Sequence, residues 1–139
     1  MSINRPYGTV SELPGEMPVF PLSRCLLLPR CDLPLNIFEP RYLAMVDKAL
    51  RGDRLIGMIQ PKDDAGAAAP ELFTIGCAGR LTKVAETGDG RYIVTLTGVC
   101  RFRTERETTA NTPYRTFAVS FKSFADDLTA PQDDAGVDR

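Results

Sequence analysis

The stretch Arg91-Tyr92-Ile93-Val94-Thr95-Leu96-Thr97-Gly98-Val99-Cys100-Arg101-Phe102-Arg103 decides the fold. Tyr92, Val94, Leu96, Cys100 and Phe102 share one face with Gly98. Arg91, Thr95, Thr97, Arg101 and Arg103 share the other, interrupted by Ile93 and Val99. Strict period two over this length predicts a β-strand with one face in a core and one in water. Downstream, Arg115 to Phe124 repeats the pattern with Phe117, Val119 and Phe121 inward. Upstream, Thr87-Gly88-Asp89-Gly90 reads as a hairpin turn, because Asp-Gly tolerates the positive φ that a tight turn requires. Leu72 to Glu86 then reads as the partner strand, with Gly76 and Gly79 marking bends or bulges. Arg54 to Gln60 is apolar at both parities and predicts a strand buried on both sides. Met17 to Leu22 predicts a short extended piece, placed on a sheet edge because Pro18 and Pro21 cannot donate to a ladder.

Against this β background there is one helix signal. Pro40 opens it at a position where the missing N–H costs nothing, and Tyr42, Leu43, Val46, Ala49 and Leu50 follow helical spacing. Gly52 is expected to end it as a left-handed cap. Many strands, glycine bends, short turns and one main helix predict a mainly β, α+β fold: a compact pseudo-barrel of curved antiparallel sheet. Residues 1–16 are expected as a flexible lead, 17–124 as the β domain and 125–139 as an acidic, linker-like tail. Residues 61–71 are expected as a mobile loop.

With 139 residues, one domain with a real core is expected. The chain has no histidine, which removes Ser-His-Asp triads, Cys-His dyads and histidine-ligated zinc or haem. The net charge of −1 conceals a net of −4 from Ala125 onward and +3 before it, so bulk charge selects no partner. No stretch approaches the roughly 20 apolar residues of a spanning helix, and Met1 to Glu16 has no apolar region of the kind that leads export. A cytoplasmic protein with reduced thiols is expected. The four cysteines, at 25, 31, 77 and 100, lack the two close pairs of a zinc knuckle. No metal or cofactor is predicted.

Candidate functional residues are few. There is no phosphate-binding loop. The paired carboxylates Asp63-Asp64, Asp126-Asp127 and Asp133-Asp134 have no apolar context to raise a pKa and read as solvated charge. Ser120 and Lys122 share a strand face, but on its solvent side, where nothing would desolvate the lysine into a base. Arg91, Arg101 and Arg103, with Arg80 and Lys83 on the neighbouring strand, read either as a basic strip for phosphates or an acidic partner, or as a solubilising face. No aromatic interleaves with these cations in the pattern. Phe38-Glu39-Pro40-Arg41-Tyr42 reads as a strand-to-helix corner packed by its two aromatics, which a partner could also use.

At this corner the sequence becomes recognisable. Pro18-Val19-Phe20-Pro21-Leu22, Leu27-Leu28-Pro29 and Leu33-Pro34-Leu35-Asn36-Ile37-Phe38-Glu39-Pro40-Arg41-Tyr42 resemble the amino-terminal domain of the Lon protease family. Ile75-Gly76-Cys77-Ala78-Gly79-Arg80-Leu81, Asp89-Gly90-Arg91 and Gly98-Val99-Cys100-Arg101-Phe102 match its second half in order and spacing. The resemblance, over about residues 17 to 124, implies a pseudo-barrel related to PUA modules and a role in binding substrate polypeptides. The ATPase and Ser-Lys peptidase modules of Lon proteases are not in this sequence. It therefore resembles a stand-alone, non-catalytic bacterial Lon-domain protein. Unfolded or extended polypeptides are the implied partners, docking near Phe38 and Tyr42. RNA binding through Arg91, Arg101 and Arg103 and a scaffold role for one folded partner are the alternatives.

Overall fold

A computed structural model of the chain describes residues 7–22, 26–62, 71–108 and 112–128. Six strands and one α-helix follow in order: β1 (Glu16–Pro21), β2 (Asp32–Ile37), α1 (Pro40–Arg51), β3 (Leu55–Ile59), β4 (Ile75–Glu86), β5 (Tyr92–Glu107) and β6 (Arg115–Ser120). Two 3-10 segments, Val10–Glu12 and Lys122–Leu128, flank them. The strand order is β2-β5-β4-β3-β1-β6, and β6 pairs again with β5. That pairing closes β5, β4, β3, β1 and β6 into a ring, with β2 added outside it along the first half of β5. The mainly β pseudo-barrel with one main helix is thus the observed fold.

Closure corrects the expected edge position of Met17 to Leu22. β1 is internal: β6 pairs with Glu16 to Val19 and β3 with Val19 to Pro21. The prolines fit because each lies opposite a single partner strand, Pro18 facing β6 and Pro21 facing β3, so neither is asked to serve two ladders. The open edge is β2, paired only with β5, and it carries Pro34.

β5 shows how one alternating stripe can serve two cores. Val94 and Leu96 join the cluster that receives the α1 face, formed by Tyr42, Met45, Val46 and Ala49 with Phe20, Ile56, Met58 and Leu81. Cys100 and Phe102, of the same parity, join Met17, Val19, Leu55, Phe117 and Val119 in the second cluster. The division falls at Gly98, where a Cβ would lie 2.0 Å from the Leu28 carbonyl oxygen. The β4–β5 ladder shifts register between Ala78 and Gly79, as expected at Gly79, and again between Leu81 and Lys83, where there is no glycine; at Gly76 the register is continuous. β3 is buried along its whole length, as its sequence predicts.

Helix α1 has the expected bounds, but its end is built differently. Gly52 is not left-handed (φ −127°, ψ −123°); Arg54 is (φ 61°). The Gly52 and Arg54 N–H groups both donate to the Ala49 carbonyl, at 3.1 and 2.8 Å. A left-handed arginine is strained by roughly 1 kcal/mol. It is held there by tertiary contacts: its guanidinium donates to the Leu81 carbonyl at 3.1 Å, and its carbonyl accepts from the Leu81 N–H at 2.8 Å. In the 87–91 turn, the positive φ belongs to Gly90 (+85°).

Structure extends beyond the expected 17–124 body on both sides. Leu13 is buried, and Tyr7 and Val10 pack on the second cluster. The Lys122–Leu128 segment packs against β5, with Phe124 and Leu128 on that same cluster. Residues 1–6 and 129–139, and most of the expected 61–71 loop, lie outside the described residues. Its ends, however, are clasped by a Pro61–Leu72 bridge and a 3.1 Å Lys62–Glu71 ion pair.

Candidate functional site

The residues singled out from sequence do not come together in one site, although Phe38 and Arg91 approach each other. Tyr42 is a core residue, 8% exposed, its ring centroid 4.3 Å from that of Phe20. Burial pushes its phenol pKa up. Phe38, in contrast, is 60% exposed, with the Arg91 guanidinium 5.9 Å from its ring. Arg91 sits at the hairpin end of β5, paired with Asp89 at 3.3 Å, whereas Arg103 is exposed and opposite Ile75 at the other end of the β4–β5 ladder. Arg101 is neutralised: its Nε and Nη2 donate to the two oxygens of the Asp127 carboxylate, each at 2.9 Å. Its backbone N–H donates to the same carboxylate at 2.9 Å; the Arg101 side-chain bonds foremost, and this one after them, hold the Asp127 pKa below the usual carboxylate range against the opposing effect of burial. Asp127 is therefore not the solvated charge its sequence context predicts. Arg80 is buried, its guanidinium 4.4 Å from the Tyr7 ring centroid. The continuous basic strip is absent among the described residues. Aromatics do accompany these cations: Tyr7 over Arg80, Phe124 over Arg101 and Phe38 near Arg91, each from a segment distant in sequence.

An apolar groove lies at the end of the β4–β5 ladder opposite Phe38. Its origin is in the Leu26-Leu27-Leu28 run. Leu27 is 3% exposed and plugs against Gly79, where a Cβ would lie 2.8 Å from Leu27 Cδ2. The chain is pinned across β5 by reciprocal hydrogen bonds, Arg30 N–H to the Gly98 carbonyl and Gly98 N–H to the Cys31 carbonyl, both 2.8 Å. With Leu27 turned inward, its neighbours Leu26 and Leu28 turn out to water, 69% and 48% exposed. On the facing wall, Phe73 and Ile75 are 47% and 43% exposed at the start of β4. Gly76 brings β4 against β3, since a Cβ there would lie 2.4 Å from the Met58 carbonyl oxygen. The result is a cavity of about 330 Å³ floored by Met58, Gly76 and Cys77 and walled by the four exposed apolar side chains, with Arg101 at one side.

The groove presents apolar surface with buried thiols beneath it. Burial pushes the Cys77 thiol up to about 12 and the Cys100 thiol up to about 11, so both stay protonated and act as small apolar groups. Among the described residues, no group of three or more His, Cys, Asp or Glu side chains is placed to hold a metal ion. Sequence reasoning missed Leu26, Leu28, Phe73 and Ile75. The one available signal was the longest aliphatic run of the chain standing between a cysteine and a proline, outside any periodic element.

A family model described as the substrate-binding domain of ATP-dependent protease La (LON) matches residues 16–135. The chain belongs to this family. Relatives of this LON domain include the Lon protease of Desulfosudis oleivorans, 32% identical over 103 residues, covering 70% of this chain and 12% of that protein. The Lon protease of Anaeromyxobacter dehalogenans is 29% identical over 124 residues, covering 84% and 14%. The chain thus spans only a small fraction of the length of these relatives. Among solved structures, the Lon N-terminal domain protein from Xanthomonas campestris superposes with a TM-score of 0.61 at 29% identity, covering 76% of this chain and 59% of that one. The N-terminal domain of the Mycobacterium avium complex Lon protease gives the same TM-score at 14% identity and so shows the shared fold alone. Among the described residues no helix is long and apolar enough to cross a membrane.

Proposed function

We propose that this LON domain is a non-catalytic, cytoplasmic module that binds unfolded or extended polypeptide segments by seating their apolar side chains in the groove. The observation that carries this reading is the clustering of exposed Leu26, Leu28, Phe73 and Ile75 around one cavity. A soluble domain that leaves four large apolar side chains together in water sustains an unfavourable surface, and contiguous patches of this kind mark interaction sites. Seating one or two large side chains contributes roughly 2–5 kcal/mol before the cost of association. That favours weak, fast and broadly selective capture, which suits a partner with no fixed structure. The groove, rather than the Phe38 corner, is the surface the geometry supports.

The test is fluorescence anisotropy with a labelled unfolded polypeptide at low and physiological salt, with a single-stranded RNA in parallel. Phe73→Asp and Leu28→Asp replace exposed side chains, so both variants should fold. Each is expected to weaken peptide binding by about tenfold or more, because a charge in the groove must be desolvated on docking. Undiminished peptide binding by both variants would sink the proposal. So would an interaction limited to RNA that collapses with salt, the signature of phosphate contacts.

A further inference from the structure

A second concavity lies apart from the apolar groove, and its chemistry is different. It has a volume of about 440 Å³ and is lined by Tyr7, Arg30, Arg80, Thr82 and Thr97, with Val99 and Leu128 as its apolar wall. Arg80 is 7% exposed. Its guanidinium lies 4.4 Å from the Tyr7 ring centroid and makes no hydrogen bond or ion pair among the described residues. A buried charge is costly unless it is paired, and a guanidinium brings five donors that water or a partner must satisfy. The carboxylate at this cavity, Asp127, is paired with Arg101 and makes no ion pair with Arg80. The cavity therefore presents a cation in excess.

Two further features define the cavity wall. Arg30 also lines the cavity, and it is held in the left-handed region (φ 68°), with its Nη2 donating to the Asp127 carbonyl at 2.7 Å. That conformation belongs to the Leu28–Cys31 turn, closed by the Cys31 N–H donating to the Leu28 carbonyl at 3.1 Å with Pro29 preceding Arg30, and it sets where the Arg30 side chain leaves the backbone. Thr82 and Thr97 place two hydroxyls beside Arg80, 3.0 Å apart, and Thr97 is oriented by donating to Asp32 at 2.7 Å. The Thr97 proton is committed to Asp32 and the Thr82 proton to Thr97 or the Thr95 carbonyl, so the Arg80 guanidinium, with Arg30 on the same wall, is the group that faces an oxyanion. The Tyr7, Val99 and Leu128 surfaces beside it suit an apolar or aromatic body.

We propose that this cavity is a binding site for a small organic oxyanion, a carboxylate or phosphate ester carrying an apolar group, with Arg80 as the anchoring cation. The site is independent of the polypeptide groove: no residue but those of the Arg101–Asp127 pair links the two. Arg80 would hold the anion by charge-assisted hydrogen bonds, bidentate where geometry allows.

The experiment is titration of the full chain with phenyl phosphate and, separately, with benzoate, followed by nitrogen–proton NMR that includes the arginine Nε–H signals. Benzyl alcohol is the neutral control. Saturable shifts are expected at the Arg80 Nε–H and at the amides of Tyr7, Thr82, Gly98 and Val99, with little response to the alcohol. The tighter of the two anions identifies the source as phosphate or carboxylate. Arg80→Gln should weaken binding by about tenfold or more, as loss of a charge-assisted anchor requires, while Arg103→Gln should leave it unchanged. Because a buried arginine can matter for folding, Thr82→Asp is the second variant. It places a carboxylate on the cavity wall that Thr82 shares with Arg80, where it is expected to pair with the guanidinium, and should abolish binding in a folded protein. Absence of saturable binding by either anion, or equal binding by wild type and Thr82→Asp, would overturn the proposal.

Discussion

Gly98→Ala tests the most specific structural claim, that one close approach at β5 positions the loop bearing Leu26 and Leu28. A Cβ at Gly98 would lie 2.0 Å from the Leu28 carbonyl oxygen, 2.7 Å from its carbon and 3.1 Å from the Pro29 Cα. All three are backbone atoms, so no rotamer change relieves the clash and the loop must lift. Lifting it breaks the two 2.8 Å hydrogen bonds that Gly98 makes with the Arg30 N–H and the Cys31 carbonyl, worth about 1 kcal/mol each. It also withdraws Leu27, 3% exposed, from the core, a further loss of about 2 kcal/mol. The expected destabilisation is therefore about 3–4 kcal/mol, or a fall in Tm of about 10 °C for a domain of this size. Urea and thermal unfolding followed by circular dichroism measure it. Gly88→Ala is the control: no heavy atom lies within 4 Å of its Cβ position, and its effect should stay within about 0.5 kcal/mol. If Gly98→Ala lost less than about 1 kcal/mol, comparable to an ordinary surface change, the loop is not held by this contact and the account of the groove wall fails.

Two further outcomes are expected. Asp127→Asn removes the anchor of Arg101, which is itself 48% exposed in its side chain, so the cost is discounted to about 1 kcal/mol for solvent screening. Because the folded-state pKa of Asp127 is lowered, its contribution is present above the ordinary carboxylate value of about 4 and is lost as pH falls through the folded value. Wild type and Asp127→Asn should therefore converge in stability at low pH, and a gap that stays constant from pH 7 to the acid limit would contradict the pairing. At the helix corner, Tyr42→Ala should cost about 3 kcal/mol for its buried ring, while Phe38→Ser should change stability by less than about 0.5 kcal/mol. Equal costs, measured by urea unfolding, would refute the division between a buried and an exposed aromatic.

The candidate groove was less legible than the fold, and particular residues show why. Leu26, Leu27 and Leu28 have the same composition, yet only Leu27 is buried; the choice depends on Gly79 and Gly98, more than fifty positions later in the chain. Phe73 and Ile75 fall in a strand candidate, but exposure on that strand is set by what covers it. The arginines mislead in the opposite direction. Period two places Arg101 and Arg103 on one solvent face, and both are exposed. What local pattern cannot reveal is that Asp127 comes back to neutralise one of them, or that Tyr7 arrives to cover Arg80.

By itself the amino-acid sequence determined the elements whose causes are local. The β5 alternation, the proline-started helix, the doubly apolar β3 and the Gly90 turn each follow from backbone sterics and side-chain period within a few residues. Family membership was legible for the same reason, through short motifs kept in order. Tertiary structure alone decided the closure of the ring through β5 and β6, which moved β1 from an edge to an interior position, and the left-handed end of α1 at Arg54. It also decided the Arg101–Asp127 pair, the apolar groove and the cavity around Arg80. Each of these is a meeting of segments far apart in the chain, selected by burial and by the need to satisfy donors and charges once water is excluded. Local pattern sets which way a side chain points, and only the packed chain sets what it meets there.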